Sequence, residues 1–166
     1  LLNVAETIMA SNVIYDTTRA SLVSFALDMN TGSMLLTFDD VLSVPPFVPS
    51  GITLQNSKLS SKNNMYTLTD SSFAFNTSRF VITVKIGPVD LFNLQLTAGV
   101  AVSLNTTYIT MSADTFDDVY GVDVTAITND GVVDDAVFSI IVMRKLRGGK
   151  LRLIGEYRPM AVKQFK

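Results

Sequence analysis

The chain has 166 residues, enough for one domain, with 48% apolar and 17% charged residues and no His, Cys or Trp. Without His or Cys it has no zinc finger, thiol nucleophile, His-based triad or disulfide, and a metal would have to be held by oxygen ligands, as calcium and magnesium are. The net charge of −2 hides an uneven split: residues 1–143 hold five basic and fourteen acidic residues, a net −9, while residues 144–166 hold eight basic and one acidic, a net +7. In chain order, residues 1–15 read as an extended segment, followed by the turn-like Asp16-Thr17-Thr18-Arg19. Period-two alternation then begins, with Val23, Phe25 and Leu27 against Ser24, Ala26 and Asp28. The turn Met29-Asn30-Thr31-Gly32-Ser33 leads into Met34, Leu36 and Phe38, again alternating, which predicts a β-hairpin.

Three prolines between Val44 and Gly51 remove ladder donors, so this segment is expected to be a crossover or an edge. Short strands are expected at Ile52 to Gln55 and Met65 to Thr69, around a polar loop from Asn56 to Asn64. The stretch from Phe80 to Ile86 is the strongest strand of this region, with Phe80, Ile82, Val84 and Ile86 as its inward set. Gly87-Pro88 stops it, and Asp90 to Leu96 reads as one or two helical turns capped near Asp90. Further strands are expected at Thr107 to Met111, Val122 to Ile127 and Ala136 to Met143, and Lys150 to Tyr157 follows the hairpin signal Arg147-Gly148-Gly149. The pattern gives an all-β chain: an antiparallel β-sandwich of about seven core strands plus a C-terminal hairpin, with at most one short helix. Residues 1–15 form an N-terminal extended segment with a possible role between subunits, 16–128 the sandwich, and 129–166 a basic extension.

The order of several segments resembles a known family. They are Asp16-Thr17-Thr18-Arg19, Leu22 to Gly32, Leu35 to Asp39, Gly51 to Gln55, Tyr66 to Thr69, Asp90 to Leu94, Asn105 to Met111 and Phe116 to Gly121. Together they look like one unit of the tandem Ig-like repeats of very large extracellular surface proteins, and are similar to bacterial Ig-like modules of S-layers and adhesins. The resemblance covers roughly residues 14–128. It implies an Ig-like sandwich at the cell surface that serves as a spacer, adhesion or coat element without catalysis. The family's Asp-x-x-Gly-Asn turn is present only as Asp118-Val119-Tyr120-Gly121 followed by Val122, and residues 129–166 lie outside the resemblance.

Candidate sites are few. Asp114, Asp117, Asp118 and Asp123 lie within ten residues and offer oxygen ligands of the kind calcium takes, although no regular D-x-D-x-D-G loop is present, and solvated loop carboxylates are the plainer reading. Adjacent carboxylates such as Asp39-Asp40 point to opposite faces of a strand, so they do not make the facing pair about 5–9 Å apart that glycoside hydrolysis needs. No G-x-S-x-G and no phosphate loop occurs, so the expectation is no enzyme. Asn76-Thr77-Ser78 and Asn105-Thr106-Thr107 are N-glycosylation triplets if the chain is secreted. No membrane span is read, since the apolar run Ile140 to Met143 is far short of about 20 residues. No signal peptide is read at Leu1-Leu2-Asn3, and the missing initial Met suggests a processed product or a fragment.

The basic residues Arg144, Lys145, Arg147, Lys150, Arg152 and Arg158 leave three readings open. They form a nucleic-acid patch, which the acidic body disfavours; or they dock on the acidic body of the next copy, head to tail, giving a homo-oligomer or polymer; or they fold back on their own body. The function expected from these features is a non-catalytic structural module of an extracellular array or filament. The alternative is an adhesion or glycan-binding module, with calcium as its possible cofactor.

Overall fold

The computed structural model describes residues 9–57, 64–128, 142–145 and 151–153. It is an all-β sandwich with one α-helix. The chain order is β1 (Leu22–Asp28), β2 (Ser33–Phe38), β3 (Leu42–Ser43), a 3₁₀ turn (Pro49–Gly51), β4 (Ile52–Gln55), β5 (Met65–Thr67), β6 (Phe73–Ser78), β7 (Val81–Lys85) and α1 (Pro88–Leu96). A 3₁₀ turn (Leu104–Thr106), β8 (Tyr108–Met111), another 3₁₀ turn (Ala113–Thr115), β9 (Asp117–Asp118), β10 (Val142–Lys145) and β11 (Leu151–Leu153) follow. Among the described residues no helix is long and apolar enough to cross a membrane.

One sheet runs β11-β10-β1-β2-β7-β6, a second runs β5-β4-β8, and β3 pairs with β9. All pairings are antiparallel except β1 with β10, where Leu27 lies beside Val142 and Asp28 beside Met143. The predicted hairpin is present, turning through Gly32 at φ +60°, the left-handed region that favours glycine. Period-two alternation puts Phe25, Leu27, Met34, Leu36, Phe38, Ile82 and Val84 of the large sheet on the buried face. They meet Ile52, Leu54, Ile109 and Met111 of the small sheet in one core cluster. Phe116 closes one end of that core, with its ring edge-on to Phe38 at 5.9 Å and stacked on Phe47 at 5.1 Å. The proline-rich segment carries the chain from the large sheet toward β4, as a crossover should.

Several expectations are corrected. Val23 sits in a register shift between Leu22 and Ser24 and is 45% exposed instead of joining the inward set. Phe80 also faces out, because the strand begins only at Val81; Phe80 belongs to the preceding turn, with the Arg79 guanidinium 5.2 Å from its ring centre. Val122 to Ile127 is not a strand but a stretch making two isolated bridges, Asp117 to Asp123 and Met111 to Ile127. The helix starts earlier than expected: Gly87 is its N-cap and Pro88 its first residue, so Asp90 is not the cap. β6 is a strand that no expectation named. The tail strand is described only from Val142 and the last strand only over Leu151–Leu153; residues 136–141 and 154–157 lie outside the described residues.

Candidate functional site

The acidic cluster is a turn. Asp118 Oδ1 accepts the backbone N–H groups of Tyr120 at 2.7 Å and Val122 at 2.8 Å, while Gly121 supplies the left-handed step at φ +81°. The stretch Asp118-Val119-Tyr120-Gly121 thus forms a turn that Val122 closes. Asp118 is buried, and its Oδ2 has no partner among the described residues. Asp114 is exposed and accepts the Ser112 hydroxyl at 2.5 Å; Asp117 and Asp123 face each other across an isolated bridge. Other loop aspartates are used in the same local way. Asp28 accepts from Asn30 N at 2.8 Å and Thr31 Oγ1 at 2.8 Å, Asp39 from Ser21 N at 2.6 Å, and Asp40 from Val41 N at 2.7 Å. Burial raises the Asp28 carboxyl, but these donors outweigh it and hold the carboxyl below its ordinary value. Among the described residues no group of three or more acidic side chains could hold a metal ion.

Of the basic residues, Arg144 and Lys145 lie on β10 and Arg152 on β11, where the antiparallel register sets Arg144 opposite Arg152. Arg147, Lys150 and Arg158 lie outside the described residues. The described part of the tail therefore pairs with its own sheet, through β1, and among the described residues β11 is the last strand on that side of the sheet. Of the two glycosylation triplets, Asn105 falls in the 3₁₀ turn before β8, and Thr107 beyond it is fully buried with its hydroxyl on Ser103 O at 2.7 Å. Asn76, Thr77 and Ser78 are all exposed on β6.

β6 is the other edge of the large sheet, and it is the feature the sequence did not announce. Among the described residues no strand pairs with its outer side. Its six residues carry no charge, and Phe73 and Phe75 are 56% and 45% exposed with ring centres 6.2 Å apart. Register sets Phe73 against Lys85 and Phe75 against Thr83, on the outer face, and sets Ala74 and Asn76 against the core residues Val84 and Ile82. Beside the strand lies a groove of about 430 Å³, lined by residues of β6 together with Val44, Pro45, Phe47, Pro49, Asp70 and Ser72. A glycan on Asn76 would compete for this groove with anything docked along β6.

The start of β6 is held by a buried polar network. Asp90, fully buried on the first turn of α1, accepts the Tyr66 hydroxyl at 2.8 Å, the Thr69 N–H at 3.0 Å, the Thr69 hydroxyl at 2.8 Å and the Ser72 hydroxyl at 2.5 Å. Ser72 Oγ in turn accepts the Gly87 N–H at 3.0 Å, and Asn93 Nδ2 donates to the Tyr66 hydroxyl at 3.2 Å. Burial pushes the Asp90 carboxyl up, but the Ser72 hydroxyl, the Thr69 N–H, Tyr66 and the Thr69 hydroxyl outweigh it and hold the carboxyl below its ordinary value. A covered carboxylate saturated by four donors is a poor general base. Its work is to pin the Thr69 to Ser72 turn, and so the start of β6, to the helix. Gly87 is required for that contact, since a Cβ there would stand 2.0 Å from Ser71 O.

Comparison with protein-family models, with characterised proteins and with solved structures finds no match for this chain.

Proposed function

We propose that the chain is a non-catalytic structural module of an extracellular array, an Ig-like sandwich that docks to further copies of itself head to tail. The observation that carries this reading is that, among the described residues, the two outermost strands of one sheet are unlike. β6 is uncharged and lined with exposed phenylalanine, whereas β11 and its neighbour β10 carry Arg144, Lys145 and Arg152. An uncharged apolar edge invites pairing, while a basic edge resists pairing with its own like. The charge split, −9 over residues 1–143 and +7 beyond, favours unlike contacts between copies in the same way. Such a contact is heterologous, and when its rotation does not close it propagates into a filament or lattice. The resemblance to surface-protein repeats agrees with this use.

Sedimentation velocity over a range of concentrations and salt tests the reading. It expects concentration-dependent association that weakens as salt screens the body and tail. A chain that stays monomeric at high concentration in low salt refutes it.

A further inference from the structure

The stretch from Met9 to Tyr15 leaves the body at Ala20, lies in no strand and is exposed at every residue, with Val13 at 61%, Ile14 at 88% and Tyr15 at 70%. Among the described residues no hydrogen bond ties it to the sandwich. Seven residues without a charge, three of them large apolar residues in a row, are an unfavourable surface to leave in water. The chain thus carries two features of matching chemistry that have no strand partner among the described residues: an extended uncharged arm, and an uncharged edge strand beside a groove lined in part by Val44, Pro45 and Phe47. We propose that the arm of one copy docks along β6 of another as an added strand, an apolar part of the head-to-tail contact that works beside its charged part and rests on the assembly described above.

The geometry is complementary. At about 3.3 Å per residue the seven-residue arm spans about 23 Å, and β6, with six residues, about 20 Å. In a strand Val13 and Tyr15 share one face and Ile14 takes the other. The first face fits the groove walled by Val44, Pro45 and Phe47, and Ile14 then lies beside the exposed Phe73 and Phe75. The arm's backbone meets the free N–H and C=O groups of β6, and the alternate side chains set register. The arm and β6 themselves carry no charge. Each copy presents one arm and one acceptor edge, so the contact repeats from copy to copy when its rotation does not close.

Two variants with opposite defects test this. Ile14→Asp charges the arm and leaves the edge; Phe75→Lys charges the edge and leaves the arm. Both side chains are exposed, and circular dichroism confirms that each variant folds. Each alone is expected to associate at least about tenfold more weakly than the parent chain, the loss expected from one buried apolar side chain replaced by a charge. Mixed one to one, they are expected to form two-subunit complexes and nothing larger, because one intact arm meets one intact edge. If each variant assembles as the parent does, the arm is not the contact, although the assembly reading survives. If the parent itself is monomeric at every concentration, both fall. If the variants are weakened but the mixture gives no complex, the two sites do not meet and the proposal is overturned.

Discussion

Removing the Asp90 carboxylate is the sharpest test of how the fold is held at β6. In Asp90→Ala the fixed Thr69 N–H and the buried Ser72 hydroxyl lose their acceptor, while the Tyr66 and Thr69 hydroxyls can turn to other partners. Each stranded buried donor costs about 1–3 kcal/mol, and the network is not additive, so the expected loss is about 3–5 kcal/mol. For a chain of this size that lowers Tm by about 10 °C. Asp90→Asn keeps one oxygen, which can stay on the Thr69 N–H and Ser72, while its amide donates to the rotatable hydroxyls of Tyr66 and Thr69. Its loss is expected to be about 1–2 kcal/mol. Urea unfolding followed by circular dichroism measures both.

The acid limb gives a second readout of the same group. The folded-state pKa of Asp90 lies below its ordinary value of 3.8, so the stabilisation is fully present above that value and is lost as pH falls through the lower folded one. Asp90→Asn should remove this part of the acid dependence. An Asp90→Ala chain within about 1 kcal/mol of the parent, or an Asn variant worse than the Ala variant, would refute the role given to the network.

Two further expectations concern the glycines and the acidic turn. Gly87→Ala drives a Cβ to 2.0 Å from Ser71 O and is expected to cost more than about 2 kcal/mol, whereas Gly121→Ala, with φ +81° but open space around it, should cost only about 1 kcal/mol; equal effects in thermal denaturation would contradict the close-approach argument. Calcium in the millimolar range should leave Tm unchanged, because Asp114 and Asp118 already accept hydrogen bonds within their turns and no three acidic side chains among the described residues converge; calcium at a hundredfold its Kd would add about 2.7 kcal/mol, plainly visible as a rise in Tm.

The parts of the fold visible in the sequence are those where one face is buried. The β1–β2 hairpin, β4, β7 and β8 declare themselves because alternation survives wherever a strand covers the core. β6 does not, since both of its faces are largely exposed and its Asn-Thr-Ser end reads like a turn. Val122 to Ile127 shows the opposite error: a strand-like pattern that makes only single bridges because Asp118 holds the preceding turn. Phe80 continues the alternation by pattern, but at that point the chain is still in the turn before β7. Asp90 has the residue type of a cap, yet Gly87 and Pro88 occupy the start of the helix and leave its carboxylate to turn inward. The charge split is pure arithmetic on the sequence, but the parallel pairing of β10 with β1 is a contact between distant segments that no local pattern encodes. The candidate docking site was half legible: the apolar residues of the arm stood out, and the edge that would receive them did not.

Electron microscopy of the purified full chain at low salt tests the central claim most directly. The account expects open linear or lattice assemblies in which each copy contacts the next through unlike surfaces. Dispersed single particles, or closed two-fold pairs joined through like surfaces, would contradict it.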